Sequence, residues 1–177
     1  AQHIPEWYVI GPFDNPDWKG FGEIYPPEKE IDFAGVYIST NTGESLVERQ
    51  DIINSPTRKW TKQIAGKQVF YRPGLEQEIT FFDFMPLFNS NQWAIAYVLT
   101  GIYSPVEQMV QIRIGTDDGF KLWVNNKLVT EKNTARGIGL DQDVIPVTLL
   151  PGWNKLLIKV TQGVGGWGLC CRITAEL

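Results

Sequence analysis

The chain has 177 residues, a formal net charge of −4, and seven Trp, six Tyr and nine Phe. This length suits one domain over residues 1–177 that buries enough surface to support its own core. Lys and Arg never form a run of more than two residues, so a nucleic-acid partner is not expected. No run of eighteen apolar residues occurs, so no membrane span is expected. The start at Ala1 is compatible with signal-peptide cleavage or with the boundary of an excised domain.

Residues 11–75 are predicted to contain long loops. Six prolines, with glycines between them, interrupt this part of the sequence, and both residue types favour turns and loops over regular elements. Short strands are predicted only at residues 7–10 and 31–37.

The second half is predicted to contain strands at regular spacing. Residues 93–103 are rich in β-branched and aromatic residues, and residues 110–114 alternate apolar and polar side chains. Alternation over 120–124, followed by Asn125 and Asn126, which tolerate positive φ, is typical of a β-hairpin. Three further strands are predicted, at residues 144–149, 156–160 and 169–174. With no convincing 3.6-residue period, the sequence predicts an all-β fold, an antiparallel β-sandwich of jelly-roll type with about eight to ten strands.

Two adjacent carboxylates, Asp117 and Asp118, lie in a glycine-flanked turn between two predicted strands. Their oxygens can converge on a hard cation such as calcium, or on sugar hydroxyls. Alternatively, they cap the turn by accepting hydrogen bonds from backbone N–H groups. The spacing does not decide between these interpretations.

Two other polar clusters are candidate sites. Asp141 and Asp143 follow closely after Arg136, and they form one site with the Asp117 turn if both lie at the same end of the sandwich; the alternative is a solvated loop. The segment 14–18 places oxygen ligands beside Trp18.

Trp123 is out of phase with the apolar residues 120, 122 and 124, so it is predicted to face away from the core. An exposed indole can stack on the C–H face of a sugar ring while nearby amides and carboxylates bond the hydroxyls. The alternative is that Trp123 packs under the N-terminal loops.

The other tryptophans fall into two groups. Trp18, Trp153 and Trp167 lie in predicted loops and are similar candidates for sugar stacking. Trp7 and Trp93 lie in strand-like segments and are expected in the core.

Enzymatic function has little support. His3 is the only histidine and lies near a terminus, which argues against a Ser-His-Asp or Cys-His site. A carboxylate pair alone can hydrolyse a glycosidic bond, so Asp117 or Asp143 acting with Glu23 or Glu28 is kept as a hypothesis.

The order of several motifs resembles a jelly-roll accessory domain, similar to galactose-binding-like and PA14 modules. The motifs are residues 7–13, 25–28, 96–97, 115–129, 136–137, 141–143, 152–154 and 157–160. Such domains occur in secreted bacterial proteins, often attached to polysaccharide-degrading enzymes. The resemblance therefore implies an extracellular or periplasmic module of a larger secreted protein, with an attached catalytic domain as a partner.

The resemblance also implies a metal site. In sugar-binding PA14 domains an Asp-Asp pair holds calcium, which contacts sugar hydroxyls. Asp117 and Asp118 would then be the metal ligands, with Asn125 or Asn126 nearby. This chain has Asn126 where such domains usually have glycine.

The first functional hypothesis is a non-catalytic carbohydrate-binding module for a polysaccharide or glycan. Its predicted ligand-binding residues are Trp18, Trp123, Asn125, Asn126, Arg136, Asp141 and Asp143. The second is a structural or protein-interaction spacer of a cell-surface protein. The third is a small carboxylate-dependent glycan hydrolase or lyase.

Overall fold

The computed structural model describes residues 2–35, 37–38, 57–72, 75–88 and 92–175. Within these residues the helical elements are two 3-10 segments, Pro16–Phe21 and Met85–Leu87, and one helical turn, α1 (Pro26–Lys29). Its strands, numbered in chain order, are β1 Gln2–His3, β2 Glu6–Asp14, β3 Tyr37–Ile38, β4 Thr57–Arg58, β5 Thr61–Ile64, β6 Gly66–Arg72, β7 Leu75–Asp83, β8 Ala94–Ser104, β9 Gln108–Asp117, β10 Phe120–Val124, β11 Lys127–Lys132, β12 Asp143–Leu149, β13 Gly152–Gln162 and β14 Gly168–Ala175.

The strands form the predicted all-β antiparallel sandwich of jelly-roll type. Sheet I has the order β12-β9-β14-β7-β6, and β1 also pairs with β14. Sheet II has the order β11-β10-β13-β8-β2-β5, and β3 and β4 form a separate pair. Among the described residues, no helix is long and apolar enough to cross a membrane.

The core lies between the two sheets because alternate side chains of each strand point to the same face. Sheet I contributes Val110, Ile112 and Ile114 from β9, and sheet II contributes Leu156 and Ile158 from β13. The predicted alternation in residues 110–114 and 120–124 is thereby confirmed.

A second apolar cluster covers part of the outer face of sheet II. Ile10, Ile95, Tyr97, Leu99 and Leu157 pack there with residues of the segment that follows β2. Strand β8 is therefore buried on both faces over much of its length, which explains why residues 93–103 read as a nearly continuous apolar run.

The N-terminal part differs from the prediction. Of the described residues in the predicted strand at 31–37, only Tyr37 is in a strand, as the first residue of β3. Strands β5, β6 and β7 occupy part of a region where long loops were expected. Strand β5 is an edge strand that is largely exposed, so it lacks the alternation that marks a strand with a buried face. The predicted loops over 39–56 lie outside the described residues.

Candidate ligand-binding sites

Asp118 has a structural role at one end of the sandwich, which we call the Asp117 end. Its Oδ1 accepts a hydrogen bond from the backbone N–H of Arg136 at 2.9 Å, and its Oδ2 accepts one from the N–H of Gly163 at 3.0 Å. The hydroxyl of Thr116 donates to its main-chain carbonyl at 2.7 Å. The buried Asp118 side chain thus holds two distant loops, residues 133–142 and 163–167, onto the turn after β9.

Arg136 joins the second polar cluster to the same end. Its Nη2 donates to Asp143 Oδ2 at 2.6 Å and to the hydroxyl of Thr116 at 2.9 Å. The side-chain oxygen of Gln142 accepts the N–H of Thr116 at 3.0 Å. The cluster of Asp141 and Asp143 therefore lies at the same end of the sandwich as the Asp117 turn, which the sequence alone did not decide.

Asp143 and Asp141 are paired with cations. Burial raises the pKa of Asp143, but hydrogen bonds and charge from Lys132 and Arg136 outweigh this effect and hold the pKa below its usual value. Asp141 behaves in the same way: burial raises its pKa, and Arg172 and Arg113 lower it further than burial raises it. Both carboxylates stay ionised and engaged within the protein.

Asp117 is different from its three neighbours. No hydrogen bond to its carboxylate occurs among the residues that the structure describes. Burial, and then the charge of Asp118, raise its pKa to about 6. Asp117 is thus the carboxylate of this end that is disposed to take up a proton or a cation.

The third candidate segment also reaches the Asp117 end. Asn15 Nδ2 donates to the main-chain carbonyl of Gln162 at 3.1 Å, on the peptide group whose N–H is bound by Asp118. The Trp18 ring meets the Trp93 ring edge-on, with centroids 5.3 Å apart. The segment 14–18 therefore packs on the loop that follows β13.

The structure separates Asn125 and Asn126 from this end. They form the β10–β11 turn with φ of 49° and 69°, as the hairpin prediction required. At about 3.3 Å per residue, they lie roughly 20 Å from the Asp117 turn. Asn125 instead bonds Asn154 Oδ1 at 2.9 Å and the N–H of Lys155 at 2.8 Å. The implied place of Asn125 or Asn126 beside the Asp pair is therefore wrong.

Trp123 packs on the protein. The ring lies on the outer face of sheet II and is partly buried against the second apolar cluster, together with Tyr25, Ile31 and Tyr37. The alternative in which Trp123 packs under the N-terminal segment is thus the one found.

Two other tryptophans also depart from the predictions. Trp167, expected as an exposed loop ring, is 1% exposed and packs against Phe84 and Phe88. Trp93, expected in the core, is 38% exposed. Each position depends on a long-range contact that local periodicity does not encode.

An aromatic groove lies on the outer face of sheet II, at the end opposite Asp117. Trp153 is 76% exposed and meets the Tyr103 ring with centroids 5.5 Å apart. On the other side, the ring centroids of Tyr8 and Phe33 lie 4.8 Å apart. We call the cleft between these two pairs the Trp153 groove.

Gly101 forms the floor of the Trp153 groove. It pairs with Lys155 across β8 and β13, and the register of β2 places Glu6 on its other side. A Cβ at Gly101 would meet the Trp153 ring at 3.3 Å. The missing side chain lets the Trp153 ring lie beside the strand, with Lys155 on one side of Gly101 and Glu6 on the other.

Glu28 belongs to a buried structural cluster. The Nζ of Lys159 donates to Glu28 Oε2 at 2.9 Å and to the main-chain carbonyls of Phe21 and Glu23. The hydroxyl of Tyr97 donates to the same Glu28 oxygen at 2.5 Å. Glu28 is therefore bound to sheet II and does not face Asp117 or Asp143 as a catalytic partner.

The residues of the Asp117 end fit calcium only in part. Asp117 offers a free carboxylate of the kind that calcium prefers, whereas both oxygens of Asp118 already accept backbone N–H groups. In the described part of the chain, no three His, Cys, Asp or Glu side chains are grouped to hold a metal. Asp117 would be the principal side-chain ligand.

No protein-family model matches the sequence, and no curated protein matches it. Three solved structures resemble the fold in part. The PA14 domain of the MpAFP antifreeze protein is 12% identical, with 47% of this chain and 44% of that chain covered, at a TM-score of 0.41. A family 35 carbohydrate-binding module from Clostridium thermocellum is 12% identical, with 62% and 88% covered, at 0.39.

The third is an anti-sigma factor domain-containing protein from Clostridium clariflavum, which is 12% identical, with 99% of this chain and 42% of that chain covered, at 0.48. This chain thus spans less than half the length of the first and third of these structures. A PA14 domain and a carbohydrate-binding module are among the neighbours, while the fold class itself follows from the strand topology.

Most of the Trp153 groove was missed from the sequence. Trp153 was a candidate, but Tyr8, Phe33 and Tyr103 were not, because they come from separate segments that only the strand register brings together. The sequence feature that could have pointed to this groove was Gly101, since a glycine inside a strand often marks a close approach of another group.

Proposed function

We propose that this chain is a non-catalytic carbohydrate-binding module and that the Trp153 groove is its binding site. The carrying observation is Trp153 itself, an indole that is three-quarters exposed beside Tyr103 and above the bare floor at Gly101. A large ring is seldom left this exposed without a partner. Sugar rings stack on such faces through their C–H groups.

The polar groups of the groove suit hydroxyl recognition. Lys155 supplies hydrogen-bond donors on one side of Gly101, and Glu6 supplies acceptors on the other. Glu6 pairs with Lys62 at 3.5 Å, and both side chains are more than half exposed. These groups are free to exchange water for hydroxyls at little cost.

Two carboxylates of the hypothetical enzyme site support a non-catalytic role. Asp143 is bound by Arg136 and Lys132, and Glu28 by Lys159. A general acid or nucleophile has to reach the glycosidic bond, and these groups are bound within the protein.

We further propose that the domain acts as an extracellular or periplasmic module of a larger protein. By binding polysaccharide, it raises the local concentration of an attached catalytic domain on its substrate. The supporting observation is the exposed pair of Trp153 and Tyr103 rings beside the charged side chains of Lys155 and Glu6.

The test is affinity electrophoresis through gels that contain plant, algal or microbial polysaccharides, with Trp153→Ala and a matched control, Trp93→Ala. Trp93 is also exposed but lies at the Asp117 end. We expect the parent chain and Trp93→Ala to be retarded equally by at least one polysaccharide, and Trp153→Ala to lose at least tenfold in affinity, about 1.4 kcal/mol.

Two other outcomes would change the proposal. Loss with Trp93→Ala and not with Trp153→Ala would move the site to the Asp117 end. If no gel retards the parent chain, the carbohydrate proposal fails and the spacer or protein-interaction function takes its place.

We propose calcium as a second ligand, held chiefly by Asp117. The supporting observation is a carboxylate with a raised pKa and without a hydrogen-bond donor in the described part of the chain, since a divalent cation nearby would restore its ionised form. Titration calorimetry with calcium should give binding that Asp117→Asn abolishes. An unchanged affinity in this variant would exclude Asp117 as a ligand.

A further inference from the structure

We infer that the Trp153 groove binds the interior of a linear glycan chain, not a chain end; the inference rests on the proposed function. The groove consists of two depressions. One, of about 300 Å³, lies on the outer face of sheet II beside Phe33 and Lys155. The other, of about 480 Å³, extends toward His3 and Ile173.

The two depressions join over Gly101. Tyr8, Thr100, Gly101 and Trp153 line both of them, and Gly101 has no side chain to divide them. A ligand that lies on Gly101 can therefore continue in both directions. A site for a chain end would instead close against a wall beyond the terminal sugar.

The two aromatic walls of the groove belong to different strands. Trp153 belongs to β13 and Tyr8 to β2, with β8 between them. At about 4.8 Å between neighbouring strands, the two strands that carry the walls are roughly 10 Å apart across the sheet, and the Trp153 ring leans over β8. Each wall has a second ring beside it, Tyr103 and Phe33 respectively, so successive sugars have separate aromatic contacts.

A peptide is less well suited to this position. Strands β2, β8 and β13 are inner strands of sheet II, and β8 pairs with β13 throughout the groove, so an added strand would find little free main chain there. Recognition has to come from the side chains alone, which are aromatic rings alternating with Lys155, Glu6 and Lys62.

The experiment is a length series made from the polysaccharide that the parent chain binds best. Titration calorimetry would compare the disaccharide to the hexasaccharide, each with its reducing end intact or reduced by borohydride. We expect affinity to rise at least tenfold from the disaccharide to the hexasaccharide, with no effect of reduction. Full affinity in the disaccharide, lost upon reduction, would overturn the inference while the proposed function stands.

Gly101 provides the matching variant. Gly101→Leu should divide the groove and flatten the length dependence, whereas Gly137→Leu, where a Cβ would meet nothing within 4 Å, should leave it unchanged. The milder Gly101→Ala, which displaces only the Trp153 ring, covers the case in which Leu prevents folding. A length dependence that persists in a folded Gly101→Leu or Gly101→Ala protein would refute the path over Gly101. Failure of every polysaccharide and oligosaccharide to bind would instead refute the proposed function.

Discussion

Lys159 is the residue whose replacement should destabilise the sandwich most clearly. Its side chain is fully buried, and Nζ donates to Phe21 O at 3.1 Å, Glu23 O at 2.7 Å and Glu28 Oε2 at 2.9 Å. These three acceptors match the three protons of an ammonium group. Lys159 therefore fastens the segment after β2 onto the outer face of sheet II.

Lys159→Met removes the cation and leaves Glu28 buried without it. Breaking a buried ion pair costs about 3–5 kcal/mol, mainly because one charge stays uncompensated. Glu28 keeps only the Tyr97 hydroxyl and the weak N–H contact from Tyr25. For a chain of this size, that loss corresponds to a fall in Tm of roughly 6–20 °C.

The attraction between Lys159 and Glu28 has to be distinguished from the cost of burying the two charges. Burial lowers the pKa of Lys159, and Glu28 only partly offsets this effect. Burying the pair is therefore itself unfavourable, and a neutral pair should be tolerated better than one unpaired charge. We expect Lys159→Met with Glu28→Gln to unfold at a higher urea concentration than Lys159→Met alone.

The assay is urea unfolding followed by tryptophan fluorescence, for both single variants, the double variant and Lys62→Met. Lys62 forms an exposed pair with Glu6, so its replacement should change the free energy of unfolding by no more than about 1 kcal/mol. The reasoning is refuted if Lys159→Met also costs less than about 1 kcal/mol, or if the double variant equals the sum of the singles.

Two further predictions concern the Asp117 end. The pKa of Asp117 is raised to about 6 from its ordinary value of 3.8, so the stability that its protonated form contributes is present below about pH 4 and is lost as the pH rises through 6. With chelator present, Asp117→Asn should therefore raise the Tm at pH 7.5 and leave it unchanged at pH 4. A lower Tm at pH 7.5 would contradict this reasoning. Gly115→Ala would place a Cβ 1.8 Å from the Gly139 carbonyl, whereas Gly137→Ala meets nothing within 4 Å, so thermal melts should show a large loss of Tm for the first only.

Strands β9, β10 and β12 were predictable because each has one face in the core. The alternation in residues 110–114 and 120–124 records that burial directly, and Asn125 and Asn126 have the positive φ that their turn requires. Strand β5 was not predictable in this way. Its residues are held by main-chain pairing to β2 at the edge of sheet II, and main-chain pairing has no residue signature.

The Asp117 end was predictable in composition but not in geometry. Three polar segments were identified, and they do converge, because Asp118 and Arg136 bond across loops that are distant in sequence. The same reasoning could not separate a capping carboxylate from a free one. Asp117 and Asp118 are adjacent and identical in type, yet one is saturated with N–H donors and the other has none among the described residues.

The two ends of the sandwich differ in the kind of side chain that each leaves exposed. At the Asp117 end, Asp118, Asp141 and Asp143 are bonded to other residues and fix the loops, so a ligand other than a cation on Asp117 would compete with bonds already made. At the other end, Gly101 interrupts an otherwise apolar and aromatic strand, where a glycine costs roughly 0.5–1 kcal/mol relative to alanine. A larger residue would stabilise β8 but would collide with Trp153. The glycine and the exposed indole are thus explained together, because a side chain at position 101 would displace the Trp153 ring from its place beside β8.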